Sequence, residues 1–294
     1  MLVHATQPRY HCGVPIALAF ACAVVYGIAD YCGGRSSRSA PSVAVSVIGQ
    51  LSSLVLGLAG VLIIGTAWPA ARELGWGALA GCASAFALAS FYHALSHGSM
   101  AVVAPITAVT SAVLPVIFGL ARGERPAGVA YVGMVLAVVA VALVSGAIGE
   151  RHAVTSRSTL MYAFGAGFGF AVIFIALGET TPASGLWPLV ASRVVSVVIV
   201  STIALWTRTA VRGHGTIWRL AALAGILDMS ANYIYLLAAQ RGLLSIVVVV
   251  VALYPVSTVV LAFGLDHERV SRSQAVGMMM ALCALVLVSV AGAT

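Results

Sequence analysis

Only 8% of the 294 residues are charged and 61% are hydrophobic, whereas soluble domains carry about 25% charged residues. So few charges cannot cover a water-soluble fold of this size, so the solvent for this chain is lipid. The formal net charge of +7 comes from Arg alone, and those Arg sit almost wholly between apolar runs rather than in one patch. That pattern marks membrane-flanking loops and excludes a nucleic-acid partner.

A spanning helix needs about 20 apolar residues. In chain order, ten such runs fall at 13–32, 43–65, 75–96, 99–120, 127–148, 159–178, 186–206, 219–240, 243–265 and 273–293. The longest polar connections are 148–158 and 207–218. Neither is long enough for a separate soluble domain, so any site lies within the helical bundle. The first run lacks a small-residue cleavage site and continues into Asp30 and Gly33-Gly34, which argues against a cleavable signal peptide. The five cysteines (Cys12, Cys22, Cys32, Cys82, Cys283) are odd in number and lack paired spacing, so neither a structural disulfide nor a metal site is expected.

The stretch from Tyr92 to Ser145 returns 144 residues later. Gly98/Gly242, Glu124/Glu268 with Arg125/Arg269, Gly133/Gly277 with Met134/Met278, and Ser145/Ser289 all match at that one offset without a gap. Chance reaches apolar matches easily in such a chain, but not a charged dipeptide and paired glycines. The chain therefore reads as an internal duplication, residues 1–150 followed by 151–294. Five runs per copy is an odd number, so the second copy enters the membrane from the opposite side. The expected fold is an all-α integral membrane protein with ten transmembrane helices in two inverted five-helix repeats, an arrangement that places a solute site near the midplane.

Gly77/Gly81, Gly119/Gly123 and Gly165/Gly167/Gly169 suit close helix packing in lipid. Pro105 and Pro115 in the fourth run, and Pro255 in the ninth, occupy equivalent helices and are candidate hinges or static kinks.

A charge at the bilayer centre costs roughly 2.5–3.5 kcal/mol on insertion scales, so each one needs a partner or a wet cavity. Asp228 in the eighth run and Arg193 in the seventh are the deepest, as a coupling pair or a purely architectural one. Asp228, Asn232 and Tyr235 share a helical face, as do Cys22, Tyr26 and Asp30, and Ser46, Gln50 and Ser53. Asp30 near the end of its run also suits the interface. His93 and His97 have the spacing of a metal pair but no acidic or Cys partner nearby, so His93 is read instead as a solute-binding group. No Walker loop, G-x-S-x-G or H-E-x-x-H occurs, so no enzymatic apparatus is visible and no cofactor or metal is expected.

Several short motifs together resemble the EamA-type branch of the drug/metabolite transporter superfamily. They are Tyr26-Gly27-Ile28-Ala29-Asp30-Tyr31 with Gly33-Gly34, Phe91-Tyr92-His93-Ala94-Leu95 through Gly98, Ala104-Pro105-Ile106, Gly123-Glu124-Arg125, and Tyr254-Pro255-Val256 followed by Glu268-Arg269. The resemblance implies ten helices, an inverted repeat, and export or exchange of a small metabolite, such as an amino acid, or of a drug.

The resulting expectation is a multi-pass cell-membrane carrier working by alternating access on a small-molecule substrate, as a monomer or a homodimer. Tyr26, Gln50, Tyr92, His93, Asp228, Asn232 and Tyr235 are expected to line its cavity. Asp228, Arg193 and Asp30 are expected to handle charge. A channel and an intramembrane enzyme are the rivals. Family members usually keep both termini in the cytoplasm, yet that orientation puts five loop and tail Arg inside and nine outside, against the positive-inside rule.

Overall fold

Lipid offers backbone amides no partner, so apolar runs satisfy their own hydrogen bonds as helices. The computed structural model describes residues 13–97, 100–144, 156–209, 215–266 and 271–291. In order, the helices are α1 (Gly13–Ser37), α2 (Ser42–Ile64), α3 (Ala71–His97), α4 (Met100–Ala121), α5 (Gly128–Val144), α6 (Arg157–Gly178), α7 (Trp187–Trp206), α8 (Gly215–Ala239), α9 (Leu244–Val251), α10 (Tyr254–Asp266) and α11 (Arg272–Ala291). A 3-10 turn, Pro182–Ser184, precedes α7, and no strand occurs among the described residues. Of the repeat markers, Gly98, Ser145, Glu268 and Arg269 lie outside the described residues, as do Cys12 and the Pro105 side chain.

Six helices (α1, α2, α3, α6, α7 and α8) are long and apolar enough to cross a membrane, while α4, α5, α9–α10 and α11 hold shorter apolar stretches within the described residues. Apolar side chains face outward. Leu51, Val55, Leu58 and Leu62 form an exposed stripe along α2, and Met161, Phe164 and Phe168 another on α6. Such stripes belong in lipid, where a soluble fold would place charge. Trp68, in the loop between α2 and α3, and Trp206, at the end of α7, are 71% and 87% exposed, where indoles favour the headgroup level. The chain is a multi-pass membrane protein.

Where both helix starts lie inside the described residues, they recur at a spacing of 144 residues or one more: Ser42 and Trp187, and Gly128 and Arg272. The packing pairs exchange in the same way. Helix α1 packs on α8 as α6 packs on α3, α2 on α8 as α7 on α3, and α1 on α9 and α10 as α6 on α4. Helices α2 and α7, α5 and α11, and α4 and α9 pack on each other.

Small residues make these contacts close. Gly81 lies against the Ser192 backbone of α7, and Gly225, 144 residues on, lies against the Gly49 backbone of α2. A Cβ at either would collide with main chain. Gly167 and Gly169 likewise seat α6 on Thr107 and Thr110 of α4 and on Ala83 and Ala87 of α3. The Gly119/Gly123 pair serves a different purpose. Gly123, at φ 91°, turns the chain after α4, and Gly119 leaves room for the Glu124 carboxylate.

At one end of the bundle, the start of α1 meets the α8–α9 turn through Pro15 and Gly242. At that same end Arg122 after α4 pairs with Glu179 after α6 at 2.6 Å. Glu124 accepts the amides of Leu244 and Ser245 at 2.8 and 3.0 Å, capping α9. Glu73 of α3 accepts the Thr181 amide at 3.0 Å. At the opposite end, Ser36 of α1 donates to the Ile217 carbonyl at the start of α8, at 3.2 Å.

The ninth apolar run departs from expectation by folding as two helices. Pro255 has no amide hydrogen and disfavours helical geometry at the residue before it. Leu253 and Val256 therefore bond three residues back, to Val250 and Leu253, at 3.2 and 3.0 Å.

Candidate functional site

The midsection holds a cavity of about 600 Å³, counted to its open mouth, lined from α1, α3, α4, α6, α7, α8 and α10. A second space of about 400 Å³ adjoins it, shares Asp30, Leu88 and Asp228 as walls, and extends among α1, α2, α3 and α8.

Sequence places the polar wall by helical spacing. Asp228 and Asn232 are one turn apart on α8, and Asn232 Nδ2 donates to Asp228 Oδ1 at 3.3 Å. Facing them, Arg193 of α7 pairs with Asp228 Oδ2 at 2.8 Å. The guanidinium also donates to Gln50 Oε1 of α2 at 3.0 Å and to Ser84 Oγ of α3 at 3.4 Å. Gln50 Nε2 closes the ring by donating to Ser84 at 3.2 Å. Four helices thus meet through one buried network, in which the Asp228 charge is neutralised and fully partnered.

Asp30 of α1 faces both spaces, and its carboxylate has no hydrogen-bond or ion-pair partner among the described residues. Rings surround the larger space: Tyr26 stands edge-on to Phe174 at 6.4 Å, with Phe170 and Tyr254 completing the wall.

Of the candidate residues, Tyr26, Asp30, Arg193, Asp228 and Asn232 line the larger space, and Gln50 and Tyr92 line the smaller with Ser46 and Ser53. Two stand elsewhere. His93 stacks with His97 and meets Tyr162 of α6, both at 4.3 Å, on a face away from the two spaces. Tyr235 is wholly buried and donates to the Phe174 carbonyl at 2.7 Å, so its hydroxyl is spent on helix packing. Of the hinge candidates, Pro255 lies at the α9–α10 break, while Pro105 and Pro115 lie within a continuous α4.

Ser84, Leu88, Phe170 and Phe174 were not apparent as wall residues from the sequence, although one signal finds them all. They stand 144 residues from Asp228, Asn232, Tyr26 and Asp30 respectively. The wall is therefore equivalent in position across the offset and unlike in chemistry. Each carboxylate faces a Ser or a Phe at its counterpart.

Residues 157–290 match the EamA-like transporter family. This is the family that the sequence motifs resemble, and it is one of membrane transporters for small molecules. No curated protein matches the sequence. Solved structures do match by fold. One, described only as the crystal structure of a protein, is 15% identical and superposes with a TM-score of 0.77 over 93% of this chain and 97% of its own. The chain shares that fold over most of its length.

Proposed function

We propose that the protein is a secondary transporter of the cell membrane, exporting or exchanging a small metabolite or drug by alternating access. Residues 1–150 and 151–294 would form inverted five-helix repeats, ten spans in all, rocking about the cavity between them. The observation that carries this reading is the cavity wall, drawn from positions 144 residues apart in the two halves. Two further features support it. The packing pairs exchange between halves, and α1 starts at the end of the bundle where α6 finishes. A carrier built this way opens to either side when one half adopts the shape of the other.

The Asp228–Arg193 pair is the candidate coupling element, since a proton on Asp228 would release Arg193 from its counter-charge. Full-length protein in liposomes, loaded in turn with radiolabelled amino acids, nucleosides or dyes, is expected to show saturable uptake and counterflow. Conductance that does not saturate would indicate a channel instead. Asp228→Asn is expected to abolish uptake driven by a pH gradient while leaving exchange detectable. Normal pH dependence in that variant would make Asp228 purely architectural.

A further inference from the structure

We propose that the cavity takes an organic cation with an aromatic or similarly apolar body, with the Asp30 carboxylate as its counter-charge. The proposal rests on the transporter reading for what the cavity is for, but not for what it binds.

The larger space has three ionisable walls besides its tyrosines, namely Asp30, Arg193 and Asp228. Arg193 and Asp228 pair at 2.8 Å, Arg193 Nη1 also donates to Gln50 and Ser84, and Asn232 donates to Asp228. The Arg193 side chain is only 4% exposed, and its Nε is buried without a partner among the described residues, so the one cation that they bring to the wall is closed to a ligand carboxylate. Asp30 differs on both counts. It is partly exposed to the cavity and has no hydrogen-bond or ion-pair partner among the described residues, so when ionised its charge is offset by no protein cation there.

An ionised carboxylate inside a bundle in lipid calls for a cation. Around Asp30 the wall offers the rings of Tyr26, Phe174 and Tyr254, whose π-faces attract a cation and whose carbon surface accepts an apolar body. A zwitterion would bring its carboxylate beside Asp30 with no exposed guanidinium to receive it. The selected class is thus a net monocation, such as a lipophilic amine or quaternary ammonium. Asp30 also borders the smaller space beside Tyr92, so a cation moving between the two spaces keeps the same counter-charge.

Equilibrium dialysis of the full chain in detergent with radiolabelled phenyltrimethylammonium, whose charge is permanent, tests this directly. Saturable binding is expected, displaced poorly by phenylalanine and by neutral phenylpropanol. Asp30→Asn is expected to weaken it by about tenfold or more, the worth of one charge-assisted contact, while Asp30→Glu retains most of it. Equal displacement by phenylpropanol or phenylalanine overturns the proposal on the unmodified protein, even where Asp30→Asn fails to fold. So does unchanged affinity in a folded Asp30→Asn, or no saturable binding at all. Binding without counterflow in liposomes would remove the transporter reading and leave this one standing. Counterflow of phenylalanine with no cation binding would do the reverse.

Discussion

Helix α4 runs unbroken through Pro105 and Pro115, while its counterpart parts into α9 and α10 at Ala252-Leu253, ahead of a single Pro255. Proline alone therefore does not decide where a helix breaks. The two pieces in the second half answer to different partners. All eight residues of α9 are buried, and its start is held by Glu124. Helix α10 leans on α1, where Tyr254, Ser257 and Thr258 crowd Gly27 and Thr258 Oγ1 meets the Gly27 carbonyl at 3.3 Å. In α4, Thr110 bonds back along the helix to Ile106 at 2.7 Å and Ser111 to Ala108 at 2.9 Å, as Thr258 of α10 also does to Tyr254 at 3.3 Å. Such back-bonding bends a helix without severing it. Two stretches 144 residues apart in different shapes are what the proposed alternating access requires of any one state.

The largest effect is expected from removing the break. Proline in a helix interior costs about 3 kcal/mol, so Pro255→Ala favours a joined α9–α10 by about a hundredfold. Counterflow in liposomes should fall by a comparable factor, whereas Pro115→Ala, in a helix already continuous, should alter it severalfold at most. Equal losses in the two variants would mean that the break has no mechanical role.

How much of this was legible beforehand follows from what each signal encodes. Apolar run length gave the helices, because lipid makes length and hydropathy nearly sufficient. It could not give the α9–α10 break, since Pro115 and Pro255 look alike until their neighbours are known. Helical spacing put Asp228, Asn232 and Tyr235 on one face, but that face meets the cavity at Asp228 and Asn232 and meets α6 at Tyr235. His93 shows the same limit, because its ring lies against Tyr162 rather than the cavity. The 144-residue offset carried more information than the spacing did. Applied to Asp228 and Asp30, it reaches Ser84 and Phe174, both in the wall.

A smaller effect tests what the halves share. Gly81 and Gly225 make matching close approaches, on α7 and α2, and in each a Cβ would strike main chain that cannot give way. Overpacking of this kind costs about 1–3 kcal/mol. Gly81→Ala and Gly225→Ala should lower the melting temperature in detergent by similar amounts, of several degrees. A drop confined to one of them would show that the two interfaces carry unequal loads, and would weaken the case for equivalent halves.

The smallest expected effect isolates what holds α9 apart from α10. Glu124 supplies two oxygens and a negative charge to an otherwise unsatisfied helix start, and Glu124→Gln keeps the shape while removing the charge and one acceptor. Caps of this kind are worth about 1 kcal/mol, so amide exchange at Leu244 and Ser245 should quicken by about fivefold. The start of α6, capped at 3.1 Å by Ser156 on the Thr159 amide, should not change and serves as the internal control. Hydrogen-exchange mass spectrometry on peptides covering 243–251 and 156–163 reads both at once. If α9 keeps its protection without the Glu124 charge, then burial alone fixes its start. The contrast with α4 would then arise wholly from Pro255 and the pull of α10 toward α1.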